Sequence, residues 1–284
     1  MNNKIYLNLG CGSQINPEWI NLDVNPYIEG VKTWKASDGI PAEDNSIDVI
    51  YHSHFLEHLS YEDGKKLTED CFRSLKKGGI LRVAIPDLEE ICKEYLSSLK
   101  RIDNKELNSS LDAEWMRLEL IDQMTRTYSG GKMLDFLKSN PKNEDFVISR
   151  CGEQVKSIIE ANSKKKEFIM PEKKIPLHLK FKLQIKKLLK SSWFRDQIIK
   201  LILRKSELDA LLIGRFHLCG EKHKYMYDRI SLANFLKEIG FVCITRQTHI
   251  TSLISNWNNY LLDNTISGSP RKPDSLYMEA IKPS

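Results

Sequence analysis

Short apolar runs, each bounded by Gly, Pro, Asn or Asp, alternate with helix signals through the first hundred residues of the chain. A short apolar run between turn residues is typical of a buried strand, and strands that alternate with helices form a parallel sheet with helices on its faces. We therefore predict an α/β fold with right-handed crossovers. The predicted strands are 5–9, 19–24, 31–36, 47–52 and 80–85, and the predicted helices between them are 60–76 and 87–99.

The pattern changes after residue 100, where helix signals follow one another without strands. Predicted helices lie at 111–128, 146–161, 177–190 and 194–212. A further helix at 231–239 is followed by two strands, 241–247 and 275–282. We therefore divide the chain into a Rossmann-like half at 1–100, a helical and basic insertion at 101–215, and a C-terminal part at 216–284 that completes the sheet.

Lys76 to Gly79 is predicted to end the helix 60–76 as a glycine C-cap.

Composition places the chain among ordinary globular proteins. Of 284 residues, 41% are hydrophobic and 29% are charged, which excludes fibrous and disordered classes. The first apolar stretch, Ile5 to Leu9, is too short for a secretory signal, and no apolar run is long enough to span a bilayer. We expect a soluble, cytoplasmic protein. The six cysteines form no C-x-x-C pair and no Cys/His cluster, so the prediction is free thiols and no metal.

Positive charge is concentrated between Lys164 and Lys205, where fourteen Lys or Arg residues meet only three acidic ones. Within 177–205, Phe181, Ile185, Leu188 and Leu189 share one face of a predicted helix, with lysines around it. A basic amphipathic helix either lies on an anionic membrane surface, here the inner face, or presents the solvated side of a packed helix. Nucleic acid is an unlikely partner, because no nucleic-acid-binding motif accompanies the charge.

Two glycines, Gly10 and Gly12, follow the first predicted strand directly. Glycine lets the backbone turn sharply and approach a ligand closely, and ligands of open α/β sheets bind at the carboxyl ends of the strands. Asp23 ends the second strand with a carboxylate that can accept hydrogen bonds from ribose hydroxyls. A plain tight turn remains an alternative for the glycine pair when it is taken alone.

Four motifs in order resemble the class I S-adenosylmethionine-dependent methyltransferases of the methyltransferase type 11 kind. They are Leu9 to Gly12, Asp44 to Tyr51, His54 to His58 and Leu75 to Gly79, and the resemblance covers residues 5 to about 90. It implies a seven-stranded, mostly parallel Rossmann-like sheet whose last two strands are antiparallel. It also implies S-adenosylmethionine as the cofactor, bound by residues 1–100.

The resemblance implies a role for each cofactor-binding residue. The glycine turn would lie along the methionine and ribose portions, Asp23 would hold the ribose hydroxyls, and residues 52–54 would line the mouth beside the sulfonium. Relatives often carry an acidic residue near the end of the third strand, close to the position of Lys35. In this sequence the nearest acidic residue is Asp38. Too few residues separate Gly12 from Asp23 for the usual first helix, so the loop 13–18 shortens or replaces it. The predicted cofactor-binding residues are Asn8, Gly10, Cys11, Gly12, Asp23, Asp38, His52, Ser53 and His54.

The segment 220–228 resembles a subgroup often associated with polysaccharide or cell-surface glycan assembly, which implies a small-molecule or glycan acceptor. A hydroxyl acceptor needs a general base with a pKa near neutrality, which favours histidine. His223 is the first candidate, and His58 and His217 are the reserves. Asp228 either orients such a base or caps the following helix.

Tyr225, Tyr227, Trp257 and Tyr260 could form a platform for a sugar face, and core packing is the alternative for at least half of them. The predicted activity is methylation of a small-molecule or glycan acceptor, on oxygen. An RNA or DNA methyltransferase and a non-catalytic cofactor-binding protein remain alternatives.

Overall fold

The computed structural model describes residues 4–26, 28–167 and 191–284. Within them the chain forms a seven-stranded sheet of order β3-β2-β1-β4-β5-β7-β6. Strands β1 to β5 are parallel, and β7 runs antiparallel to both β5 and β6. The predicted Rossmann-like methyltransferase sheet, with its antiparallel last strand, is confirmed. The strands are β1 Tyr6–Leu9, β2 Ile20–Asp23, β3 Val31–Thr33, β4 Ile47–Ser53, β5 Leu75–Pro86, β6 Val242–Gln247 and β7 Ser275–Ile281.

The connection from β1 to β2 contains no helix, as predicted, and a network of amide side chains fixes it instead. Asn8 Nδ2 donates to Asn21 Oδ1 at 3.0 Å and to the Gln14 carbonyl at 2.9 Å. Asn21 Nδ2 in turn donates to the carbonyl of Asn16 at 2.9 Å. Buried amides that satisfy loop carbonyls replace the hydrogen bonds a helix would supply. Loop 13–18 is thereby held against the start of the sheet.

The predicted C-cap at 76–79 is wrong. Helix α1 ends at Ser74, and the chain enters β5 at once, with Leu75 opposite Ile47. The register then shifts before Ile80 pairs with Val49, so the lysine-glycine turn is an irregularity within the strand. A glycine with positive φ suits a bulge as well as a helix end, and sequence alone does not separate the two.

The helices after residue 100 are more numerous and shorter than predicted. The expected helix 146–161 is two helices, because Gly152 lies between them with φ 74° and packs against the Arg271 carbonyl. The expected helix 194–212 is also interrupted. Two helices in the described residues, Gly131–Lys138 and Trp257–Tyr260, were not predicted, and the expected helix 177–190 lies outside the described residues. The helices are α1 Tyr61–Ser74, α2 Leu88–Asp103, α3 Ser109–Thr125, α4 Gly131–Lys138, α5 Glu144–Cys151, α6 Glu153–Glu167, α7 Ser191–Ile202, α8 Lys205–His217, α9 Arg229–Ile239 and α10 Trp257–Tyr260.

Three hydrophobic clusters hold these elements together. The largest lies between one face of the sheet and helices α1 and α9, and an aromatic cluster around Trp19, Tyr51 and Trp257 covers the opposite face. The third is built around Trp115 and Met116 and joins helices α2 to α6. Helix α2 therefore packs with the helical segment, whereas the predicted division at residue 100 separates them. That division stays a prediction.

No helix in the described ranges is long and apolar enough to cross a membrane. The apolar face predicted at 181–189 lies outside those ranges. All six cysteines are free, as predicted, although Cys219 and Cys243 are exposed.

Candidate active site

A cavity of about 670 Å³ lies at the carboxyl ends of β1 and β4, within the range of ligand-binding sites. The glycine turn 10–12 forms one wall, together with Ser53 and His54. Residues Glu153, Gln154, Ser157 and Ile158 of α6 form a second wall. The third comes from the segment 262–277, which precedes and enters β7. The site is therefore built from three parts of the chain that are distant in sequence.

The two glycines of the turn differ in what they leave room for. Both have a left-handed backbone, with φ 60° at Gly10 and 51° at Gly12. A Cβ at Gly10 would lie 2.5 Å from the Phe55 ring, whereas a Cβ at Gly12 would meet nothing within 4 Å. A side chain at Gly10 would therefore collide with Phe55, whereas one at Gly12 would not. Both glycines line the cavity, and their predicted contact with the cofactor stays a prediction.

Asp23 and Asp38 do not line the cavity. Asp23 Oδ2 accepts a hydrogen bond from the Gly12 N–H at 2.8 Å, and Oδ1 accepts one from the Asn25 N–H at 2.9 Å. The carboxylate therefore fixes the glycine turn from behind. Asp38 ends the 3₁₀ helix Ala36–Asp38, near a second cavity lined by Ser37 and other residues. The predicted cofactor contacts of both acids stay predictions.

The histidines at the end of β4 occupy different environments. His54 lines the cavity, and its Nε2 lies 2.8 Å from Ser275 Oγ. Burial lowers the pKa of His54 well below its usual value, so the imidazole is neutral at neutral pH. His52 is fully buried outside the cavity, and neither ring nitrogen has a hydrogen-bond partner among the described residues. Of these two histidines, only His54 faces the cavity.

The two histidines predicted as catalytic lie together behind His54. The rings of His58 and His223 are 4.7 Å apart and nearly perpendicular, and neither ring lines the cavity. Burial lowers the pKa of His58 to about 4 and that of His223 to about 2. Glu57 completes the group, and burial raises its pKa to about 8. The third candidate, His217, lies on α8, 3.4 Å from Lys222 Nζ. The catalytic roles of these histidines stay predictions.

A buried ion-pair network that sequence reasoning missed supports the third wall. Arg82 of β5 is fully buried and donates to Asp263 at 2.8 Å and to Glu279 at 2.7 Å. Asp263 also accepts a hydrogen bond from the Tyr51 hydroxyl and lines the cavity. The network ties the segment after β6 to the middle of the sheet. Nothing in the sequence near Arg82 shows its partners, because they lie about two hundred residues away.

Core packing, the alternative to the aromatic platform, is confirmed for Tyr227 and Trp257, which are buried in the hydrophobic clusters. None of the four rings is among the described residues that line the cavity. The aromatic rings that line the cavity belong to Tyr51 and Tyr277. Asp228 caps α9 by accepting hydrogen bonds from the N–H groups of Ile230 and Ser231. This confirms the structural alternative for that residue.

Residues 30–83 match the family model described as "Methyltransferase domain". The match runs from just before β3 into β5 and includes the end of β4. Over this segment the chain is similar to that family. No curated protein matches the sequence.

Solved structures with low sequence identity resemble the chain. An S-adenosylmethionine-dependent methyltransferase from Archaeoglobus fulgidus is 13% identical over 98% of this chain and 86% of its own, with a TM-score of 0.37. One from Clostridium acetobutylicum is 18% identical over 31% of this chain and 45% of its own, with a TM-score of 0.26. A chain from the complex of the Haloferax volcanii Trm112 methyltransferase activator is 20% identical over 32% of this chain, with a TM-score of 0.27. The matches span 48% and 45% of the Haloferax and Clostridium chains.

Proposed function

We propose that the protein is an S-adenosylmethionine-dependent methyltransferase that acts on a hydroxyl of a small-molecule or glycan acceptor. The observation that carries the proposal is the cavity at the ends of β1 and β4, bordered by the open backbone at Gly12 and by His54. The cofactor, when bound, supplies a methyl group on a positively charged sulfur. The protein's task is to hold the acceptor in line with that methyl group and to exclude water.

The residues of the cavity suit the cofactor. Gly12 offers space that a side chain would fill, and Asp23 holds the turn in that conformation. The first turns of α6 cover the cavity from the opposite side, which limits the access of water. Gly12 and Cys11, together with Ser53, are the residues we assign to cofactor binding.

The lining supports a hydroxylated acceptor. Seven side chains of Ser, Thr, Asn and Gln line the cavity and offer both hydrogen-bond donors and acceptors. A sugar, which carries several hydroxyls, matches such a lining better than an apolar acceptor does. The seven residues are Asn8, Ser13, Gln14, Ser53, Gln154, Ser157 and Thr265.

His54 is the residue that we propose accepts the proton of the acceptor hydroxyl. It is neutral, lines the cavity, and is oriented by Ser275 through its Nε2. Glu57 Oε1 lies 3.5 Å from His54 Nδ1 on the buried side. Because burial raises the pKa of Glu57 to about 8, this carboxyl group is mostly protonated at neutral pH and positions the ring without supplying a negative charge. His58 and His223 lie behind this pair.

Calorimetry with S-adenosylmethionine and with its demethylated product tests cofactor binding. Gly12→Leu is expected to weaken binding by roughly 100-fold or more, about 2.7 kcal/mol, because the side chain enters the cavity. Gly78→Leu is the matched control, since Gly78 also has a positive φ, 75°, and open space around its Cβ, but lies outside this cavity. Equal affinities for the wild type and Gly12→Leu, or no binding by either, would contradict the proposal.

A screen of nucleotide sugars and glycan lipids, read as release of the demethylated cofactor, tests the acceptor class. With an active acceptor, His54→Gln is expected to lower kcat by roughly 10²- to 10⁴-fold while cofactor affinity is unchanged. Full activity of His54→Gln would remove His54 from the proton-transfer step.

We infer a cytoplasmic setting in polysaccharide assembly, with the basic segment 177–205 contacting anionic lipid at the inner membrane face. The clustered positive charge of that segment supports this. Co-sedimentation with vesicles containing anionic lipid, compared with neutral vesicles, is the test. Equal recovery with both vesicles would leave the segment without a membrane role.

A further inference from the structure

Three side chains with metal-ligating atoms meet beside the cavity. Glu57 and His58 lie in the 3₁₀ helix Leu56–His58, and His223 lies in the segment before α9. One oxygen of Glu57 and one ring nitrogen from each histidine lie within 4.8 Å of one another. The sequence gives no sign of this group, because its two halves are far apart along the chain.

The ligating atoms of this cluster lack partners. Both carboxylate oxygens of Glu57, and Nδ1 of His58 and of His223, are buried without a hydrogen bond among the described residues. Glu57 is 1% exposed and His223 is 4% exposed. Nδ1 of His54 lies 3.5 Å from Glu57 Oε1 without forming a hydrogen bond. A buried carboxylate without a partner is costly, so such groups are usually paired or bound to a metal.

We propose that Glu57, His58 and His223 bind a divalent transition metal ion. Two histidines and one carboxylate are a ligand set of catalytic zinc sites and of non-haem iron sites. Around a tetrahedral zinc ion the ligand atoms lie about 3.4 Å apart, so the distances between the three ligand atoms shorten by up to about 1.4 Å on binding. The remaining position is filled by water. His58 is only partly buried, and this provides a path for the ion to enter.

Some of the charges around the cluster oppose a bound cation and others favour one. Lys272 and Arg126 act electrostatically on both histidines and oppose a cation. Glu221 acts on His58 and Asp274 on Glu57 with the opposite sign. Lys272 also acts on Glu57, so the rival arrangement is a metal-free site in which Lys272 serves as the counter-ion of Glu57.

Metal analysis of the full-length protein tests the proposal. The protein is purified from zinc-supplemented cells, stripped with a chelator, and titrated with Zn²⁺ alone by calorimetry. One equivalent per chain is expected, with a visible absorption spectrum when Co²⁺ replaces Zn²⁺. Glu57→Gln and His223→Asn are expected to lose more than the roughly 100-fold in affinity that an outer-sphere partner contributes.

The matched control is His52→Asn. His52 is also a fully buried histidine with unpartnered nitrogens, but it lies outside the cluster, so its replacement is expected to leave zinc binding unchanged. Circular dichroism establishes that each variant is folded. A wild type that takes up no zinc, or a Glu57→Gln variant that binds zinc as the wild type does, would overturn the proposal. These readouts involve neither cofactor nor acceptor, so the metal site and the proposed methyltransferase activity fail separately.

Discussion

Two clusters of buried polar groups adjoin the cavity, and they differ in whether the protein completes them. In the first, Arg82 is paired with Asp263 and Glu279, and its remaining N–H groups donate to the carbonyls of Thr248 and Thr251. In the second, the carboxylate oxygens of Glu57 and the Nδ1 atoms of His58 and His223 have no hydrogen-bond partner among the described residues. A cluster that is complete within the protein serves the fold, whereas an incomplete one indicates a ligand.

The largest effect expected is that of Arg82→Met, which breaks the complete cluster. Removal of one partner leaves Asp263 and Glu279 buried without their counter-charge, so the free energy of unfolding falls by about 3–5 kcal/mol. Urea denaturation at neutral pH measures the change. Lys93→Met is the control, because Lys93 forms its ion pairs with Glu89 and Glu90 at the surface, where solvent screens them.

A loss below about 1 kcal/mol for Arg82→Met would mean that the complete cluster contributes no more than a surface ion pair does. In that case the presence of partners within the protein would not distinguish buried polar groups that stabilise the fold from those that bind a ligand.

The second prediction concerns His52, which belongs to neither cluster. Its ring nitrogens have no hydrogen-bond partner among the described residues. Burial lowers its pKa from 6.5 to about 4. Between these values the unfolded chain binds a proton that the folded chain does not, so stability falls as the pH falls from about 6.5 towards 4. At pH 5 this penalty amounts to about 2 kcal/mol, and at pH 7 it nearly disappears.

His52→Leu removes that titration. The free energies of unfolding of the wild type and the variant are measured by denaturation across pH 5 to 8. Above pH 7 they are expected to differ by a constant amount. Below pH 6 the wild type is expected to lose stability that the variant keeps. Parallel curves would show that His52 is accessible to protons in the folded protein.

The part of the fold that could be predicted from the sequence is the part fixed by short-range patterns. Strands β1, β2 and β4 were placed to within about two residues, because a buried parallel strand is a short apolar run between turn residues. The missing first helix was also predicted, because the spacing between Gly12 and Asp23 leaves no room for one.

The candidate site was predicted less completely, because it depends on contacts between distant segments. The glycine turn, Ser53 and His54 were found from their motifs. The wall formed by α6 and the ion pairs of Arg82 have no local signal, since their partners lie elsewhere in the chain. Gly10 lines the cavity as predicted from its motif, but the packing of Phe55 against the space where its Cβ would lie has no local signal in the sequence.

Asp228 provides the smallest effect and tests the same distinction at the surface. Its carboxylate accepts hydrogen bonds from the first N–H groups of α9, at 2.7 Å from Ile230 and 2.8 Å from Ser231, so the protein completes it. Asp228→Ala is therefore expected to lower the free energy of unfolding by about 1 kcal/mol, and Asp228→Asn, which also caps well, by much less. Because the carboxylate is occupied by the helix, neither variant should alter zinc or cofactor affinity in calorimetry. A loss of either affinity in Asp228→Asn would mean that a carboxylate with hydrogen-bond partners in the folded protein can still take part in ligand binding.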